Sequence, residues 1–257
     1  MKLGIEGKVA LVTGGSHGIG LAVAEALADE GCRVAICARD ADRLEAAAER
    51  LRARGVAALG VAADAGVAAD VERVVGHVRH AWGTVHILVN NVGGGGRWGS
   101  PSVEDTADRV WNEVYDKNAM AAVRFTRAAL PHMRRQRWGR VVTIASVHGR
   151  EGGGRPWFAM ANSAEIALMK SLALTPELVR DGVTFNTVAP GAIAIPGTGW
   201  DDAAHADAVA TKAAALPLGR LGTPEEVAAA VVFVCSAPAS LVNGATIAVD
   251  GGESRAY

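Results

Sequence analysis

The chain has 257 residues, half of them apolar, with 26 basic side chains against 27 acidic ones. That composition allows a large core, and it lacks the clustered basic excess that a nucleic acid or an anionic membrane surface requires of its partner. The apolar stretches are short and broken by charges, so no transmembrane helix is expected; residues 1–7 lack the apolar run of a signal peptide, and the expected location is the cytoplasm.

The first strand is predicted over Lys8–Thr13, running straight into Thr13-Gly14-Gly15-Ser16-His17-Gly18-Ile19-Gly20 ahead of a helix near 18–30. Glycines 14, 18 and 20 let the chain turn tightly and bring backbone amides toward a phosphate, and the helix aims its positive end at the same place. A second strand, Arg33–Ala38, leads to Arg39 and to Asp40, which is placed to cap a helix over 41–54. Strand Val56–Ala63 is followed by Asp64 and a helix near 67–82, and strand Val85–Asn90 by the glycine-rich segment Asn91–Pro101. A long helix is predicted over 104–136, then strand Arg140–Ser146, a helix over 157–180 and strand Thr184–Ala189. After the irregular segment Gly191–Pro217, Thr223-Pro224 opens a helix over 224–236, and Thr246–Val249 forms the last strand.

Near-continuous apolar strands alternating with helices imply an α/β fold. The expected architecture is a Rossmann-like, doubly wound, parallel seven-stranded sheet with helices on both faces, in one domain over 1–257. Ligands in such sheets bind beyond the carboxyl ends of the strands, which makes 191–217 the expected substrate lid. Cys32, Cys37 and Cys235 have no metal or redox spacing and are expected to be reduced thiols in or near the core; no metal site is expected.

The turn spacing is T-G-x-x-x-G-x-G rather than G-x-G-x-x-G, and it resembles the short-chain dehydrogenase/reductase family. The resemblance continues through Asn90-Asn91-Val92-Gly93, Asn118, Ser146, Pro190-Gly191, Leu218-Gly219-Arg220, Thr223–Val227 and Val249-Asp250-Gly251-Gly252. It implies that Gly14, Ser16, His17, Gly18, Ile19, Gly20, Asn91, Gly93, Pro190, Gly191 and Ile193 hold a nicotinamide dinucleotide, and that Asp64 bonds adenine. A cap or turn role is the competing reading of Asp64. Where an acid would select NAD, this sequence has Ala38-Arg39. Arg39 could pair with a 2′-phosphate, which points to NADP(H); the alternative is a solvated loop arginine. His17 faces the same phosphate or is a plain turn residue.

In the family, Ser146 would polarise the substrate oxygen and Asn118 would hold a water. A Y-x-x-x-K pair would move the proton, the lysine bringing a tyrosine that titrates near ~10 toward neutrality. Counting from Ser146, the tyrosine position falls on Phe158 and the lysine position on Asn162. Tyr115 and Tyr257 are the only tyrosines. Three explanations fit: a natural member using other groups, a natural non-redox or binding member, or deliberate replacement of one or both residues.

His148 is the first substitute acid to consider, with Glu151 on the same loop; both also fit ordinary loop or substrate-contact roles. Arg97 and Arg155 with Trp98, Trp157 and Trp200 could shape an anion-accepting aromatic pocket, and scattered surface positions explain them equally well. Ala194 stands where many members have a threonine for the carboxamide; Thr198 is nearby. The resulting expectation is an NADP(H)-dependent enzyme for a carbonyl/alcohol pair, with altered acid–base machinery. The rival is a non-redox or cofactor-binding protein on the same fold. Family packing, with apolar residues in excess of one buried face, implies a homotetramer and, failing that, a dimer.

Overall fold

The structure is a computed structural model, and it describes residues 1–95, 98–100, 102–197 and 206–256. The first half runs β1 (Val9–Thr13), α1 (Gly18–Asp29), β2 (Arg33–Ala38), α2 (Ala41–Arg52), β3 (Ala58–Ala62), α3 (Ala68–Trp82) and β4 (Ile87–Asn90). Then come α4 (Asp108–Tyr115), a π-helical turn (Asp116–Met120), α5 (Ala121–Arg135), β5 (Gly139–Ile144) and a 3-10 turn (Val147–Gly149). The rest is α6 (Pro156–Ala173), α7 (Pro176–Arg180), β6 (Val183–Pro190), α8 (Ala206–Ala214), α9 (Pro224–Cys235) and β7 (Thr246–Val249).

All strand pairs are parallel, in the order β3-β2-β1-β4-β5-β6-β7. The chain winds outward from β1 in one direction and from β4 in the other, so a crevice opens at the carboxyl ends of those two neighbours. The apolar runs alternate between two cores. Ala10, Val12, Ile36, Val89, Val142 and Val188 face the layer of α1 and α9. Leu11, Leu88, Val141 and Phe185 face the layer of α3, α5 and α6, where Phe125 and Met169 fill the gaps. Each buried side chain of this size contributes roughly 1.5–3 kcal/mol.

Caps set the helix boundaries. The Asp40 carboxylate accepts from Arg43 N at 3.0 Å at the start of α2, as the sequence implied. Thr223 and Glu226 form a reciprocal capping box on α9.

Three elements differ from the sequence expectation. The long central helix starts only at Asp108 and is widened by the π turn, and such single bulges recur at functional sites. The helix expected over 157–180 breaks at Thr175, because Pro176 lacks an amide and holds Thr175 extended. The segment expected to be irregular contains α8, whose alanine-rich sequence has strong helix propensity. The three cysteines are buried and unbridged; burial pushes Cys32 and Cys37 up to about 12, and Cys235 upward as well. Among the described residues no helix is long and apolar enough to cross a membrane.

Candidate active site

The turns after β1 and β4 are tied together across the crevice. Thr13 Oγ1 accepts from Asn91 N at 2.9 Å and Val92 N at 3.0 Å, while Asn91 Nδ2 donates to Thr13 O at 2.9 Å and Gly14 O at 3.2 Å. Gly14 and Gly18 hold φ of 64° and 55°, the left-handed region that glycine tolerates. A Cβ at Gly20 would run into Gly14 O and the Asn91 amide. His17 caps α1 only by position and makes no side-chain cap bond, so the first-turn amides face the crevice unspent. That is a ready anion cradle. Ser16 is buried in it, and Ile19 packs against the core beneath.

Cations gather beside this cradle. His17 is held below its ordinary value by burial and by the charges of Arg43 and Lys117. Lys117 is held down by burial and by Arg39, partly offset by Asp64. Four basic side chains from the turn, the end of β2, α2 and the π turn therefore share one region. Arg43 meets Asp40 at 3.5 Å, and Asp64 accepts from Gly66 N at 2.8 Å. Asp64 thus performs its turn role whatever else it does. The sequence reading missed Arg43 and Lys117. Arg43 follows Arg39 by four residues on the first turn of α2, a spacing that could have flagged it; Lys117 had no signal beyond adjacency to Asn118.

At the other end of the crevice, Ser146 precedes the 3-10 turn, and its Oγ accepts from His148 N at 3.2 Å. The His148 ring stands edge-on to Phe158 with centroids 6.5 Å apart, and its Nδ1 is buried without a partner among the described residues. Phe158 and Asn162 lie one turn apart on α6. Asn162 is 2% exposed, and its amide donates back to Phe158 O at 2.8 Å. The serine loop rests directly on this helix: a Cβ at Gly149 would lie 2.9 Å from Asn162 Cβ, and Ser163 Oγ donates to Gly149 O at 3.0 Å. Asn118, inside the π turn, donates to Gly94 O at 2.8 Å and Val114 O at 2.7 Å and accepts from Gly94 N at 2.9 Å. Gly93 is glycine because a Cβ would press 2.6 Å from Asn118 Oδ1.

Beyond β6, Gly191 N donates to Val249 O at 3.2 Å, and Ile193 bridges to Gly222 through the amide of Ala194 and the carbonyl of Ala192. The amide and carbonyl of Ile193 itself therefore face away from that bridge. A Cβ on Gly18 would lie 2.8 Å from Ile195 Cγ2, so this segment closes over the phosphate turn, with Pro190 at its root.

The family model described as "Enoyl-(Acyl carrier protein) reductase" matches residues 14–254. The 3-oxoacyl-[acyl-carrier-protein] reductase FabG of Escherichia coli K12 is 37% identical over 251 residues, covering 97% of this chain and 98% of that protein. Dehydrogenase/reductase SDR family member 4 of Oryctolagus cuniculus is 35% identical over 248 residues, covering 95% and 93%. Among solved structures, L-sorbose reductase from Gluconobacter frateurii, complexed with NADPH and L-sorbose, superposes with a TM-score of 0.91 at 34% identity over all of both chains. A variant of the actinorhodin polyketide ketoreductase with NADPH gives 0.89 at 32% identity, covering 97% and 98%. The chain belongs to the short-chain dehydrogenase/reductase family.

Several residues of this short-chain dehydrogenase/reductase lie elsewhere than the sequence suggested. Trp157 is no pocket wall: it is fully buried between α4 and α6, edge-on to Trp111 at 5.3 Å. Glu151 is spent on the C-terminal tail, accepting from Arg255 N at 2.6 Å and Ala256 N at 2.9 Å. Arg155 donates to Ser100 O, and Trp98 is exposed beneath Lys117 Nζ at 4.7 Å. Arg97, Thr198, Trp200 and Tyr257 lie outside the described residues. Sequence reasoning also missed Glu253, which accepts from Ala192 N and from Lys212 Nζ of α8, both at 2.6 Å, tying the tail to the segment over the crevice.

A further missed residue is Glu165, one turn beyond Asn162 on the inner face of α6. It is 1% exposed, Oε2 has no partner among the described residues, and burial raises its carboxyl well above the ordinary 4.5. The folded chain thus holds this proton over a range where the unfolded chain has released it, so stability falls as pH rises above about 4.5 through the raised folded value. Glu165→Gln removes that loss. Urea melts should show the variant gaining stability near neutral pH and much less at acid pH; an equal effect at both would contradict the buried-acid assignment.

Proposed function

We propose that the chain is an NADP(H)-dependent oxidoreductase-type protein for a carbonyl/alcohol pair, with its proton-transfer pair replaced by Phe158 and Asn162. The observation that carries this reading is the gathering of Arg39, Arg43 and Lys117, with the His17 imidazole among them, beside the α1 amides: three positive charges in one region suit a ribose 2′-phosphate next to a diphosphate. The residues fit the cofactor, the glycine turn carrying the diphosphate, the cations the 2′-phosphate, and the backbone of Ile193 the carboxamide. When bound, NADPH supplies a hydride to the substrate carbon.

The side chains divide the remaining work. Ser146 Oγ accepts from the His148 amide, which leaves its own proton to donate to the substrate oxygen. Asn118 fixes the Gly93–Gly94 loop; its amide is committed to backbone, so any water it holds must be reached another way. Phe158 presents a ring without a proton. Asn162, turned to its own helix, presents no cation to the crevice. The proton then comes from the His148 ring, which stands beside Phe158, or from solvent. Segment 191–217, of which 198–205 lie outside the described residues, serves as the lid, and its Lys212 is paired with Glu253.

A second reading, a cofactor-binding member without redox turnover, is favoured by the same inward turn of Asn162. Reduction of a ketone panel by NADPH separates the two: turnover supports the first, and cofactor binding without it the second.

The assembly we propose is a homotetramer. Met160, Leu174, Leu218, Phe233 and Leu241 are exposed apolar side chains on α6, α9 and the loops around them, which association would cover. Light scattering at micromolar concentration should give four times the mass of one chain, and a monomer mass would refute it.

A further inference from the structure

At the amino ends of β5 and β6, opposite the cofactor crevice, lies a second cavity of about 320 Å³. Its walls include Trp138, Arg140, Gly182, Thr184, Ala237 and Ser240. Arg140 and Thr184 are register partners on adjacent strands, so both side chains project from the same face of the sheet into this space.

Arg140 is only 4% exposed, yet no carboxylate pairs with it among the described residues. Its Nη1 donates to Gly139 O at 2.8 Å and Gly182 O at 3.4 Å, Nε donates to Ser236 O at 3.4 Å, and the guanidinium lies over the Trp138 ring at 4.4 Å. Nη2 has no partner among the described residues. Carbonyl dipoles and a ring face solvate the cation without neutralising it, and buried charges are normally paired. Burial correspondingly lowers the pKa of Arg140, with the Cys235 thiol as the one neighbour opposing that shift.

Two further features mark the place. Thr184 Oγ1 and Ser236 Oγ are buried hydroxyls without partners among the described residues. Arg137, on the rim, is the one non-glycine described residue at positive φ, 52°, and Gly182 must be glycine because a Cβ would meet Arg137 O. The Arg137 conformation is the ordinary left-handed close of α5, with the amides of Arg137 and Trp138 donating to Arg134 O and Met133 O. Other charges near the rim are Lys8, 4.5 Å over Trp138, and Asp181, already paired with Arg134 at 2.7 Å and Arg137 at 3.3 Å. The local balance is positive.

We propose that this cavity is a second ligand site, distinct from the cofactor crevice, for a small oxyanion, with Nη2 of Arg140 as its charge partner and the Thr184 hydroxyl, covered in the empty cavity and turned toward it by rotation about χ1, as its second donor. Trp138 and Val179 give it an apolar side, so the site suits a carboxylate or phosphate on a small apolar body. Occupancy would supply the missing counter-charge and the missing hydroxyl partner together.

The test is calorimetric titration of the NADPH-saturated protein with benzoate and, separately, with inorganic phosphate. Saturable one-to-one binding of either is expected, and the better probe identifies carboxylate or phosphate as the source. Arg140→Met should weaken it at least tenfold, and Thr184→Val several-fold. NADPH affinity should be the same in all three proteins. If Arg140→Met fails to fold, Thr184→Val decides alone. Binding of neither anion, competition by NADPH, or affinity untouched by Thr184→Val would overturn the proposal.

Discussion

Replacing Phe158 by Tyr and Asn162 by Lys together should raise NADPH-driven ketone reduction by about 10²–10⁴, the usual worth of a positioned general acid. The two positions are one helical turn apart on α6, directly under the serine loop, so the new side chains would meet beside Ser146. Phe158 already sets a ring in place edge-on to His148, and tyrosine adds only the oxygen. Lysine removes the short amide that turns back to Phe158 O and sends a cation up the helix face. The pair must act together: a phenol left near ~10 is a poor acid without a neighbouring cation, and a lone lysine has no phenol to tune. Each single variant should therefore recover less than a tenth of the double variant's gain. Adding His148→Ala to the unmodified chain should abolish its residual rate if the imidazole supplies the proton. Equal turnover before and after the double replacement would show that Phe158 and Asn162 do not limit the chemistry.

Arg39→Asp should reverse the cofactor order. A charge-assisted contact to a 2′-phosphate is worth about 1.5–3 kcal/mol, so NADPH affinity should fall roughly tenfold to a hundredfold. NADH should bind more tightly, since an acid at the end of β2 accepts from both ribose hydroxyls. Arg43 and Lys117 remain, which is why NADPH binding weakens rather than vanishes. Equal affinities for both cofactors in the unmodified chain would end this reading.

The fold was readable because its signals are local. Apolar strands, the glycine turn and the two caps at Asp40 and Thr223 each act within a few residues, and the parallel sheet follows from the alternation of strands and helices. What escaped depends on partners far along the chain. Lys117, on the π turn, joins Arg39, at the end of β2, only once α4 and α5 have packed against the sheet. Glu253 meets Ala192 and Lys212 only once the tail folds across the segment after β6. Trp157 resembled a pocket aromatic until α4 packed over it. Glu165 sits in an apolar helical run with nothing in the sequence to say which face is inward. The π turn at Asp116–Met120 is likewise a tertiary effect, stabilised by Asn118 reaching Gly94 on a different segment. Short-range patterns fix elements, whereas pairings across the crevice fix the chemistry.

The central claim is that this chain holds NADP(H) while lacking the pair that would move the proton. The most direct measurement is a single-turnover mix of the NADPH-loaded, unmodified chain with a simple ketone, following the bound nicotinamide. The account predicts a loaded cofactor signal, stronger for NADPH than for NADH at equal concentration, that decays at least ~10²-fold more slowly than in Phe158→Tyr/Asn162→Lys. Decay as fast as in that double variant, or no loading by NADPH at all, would contradict it.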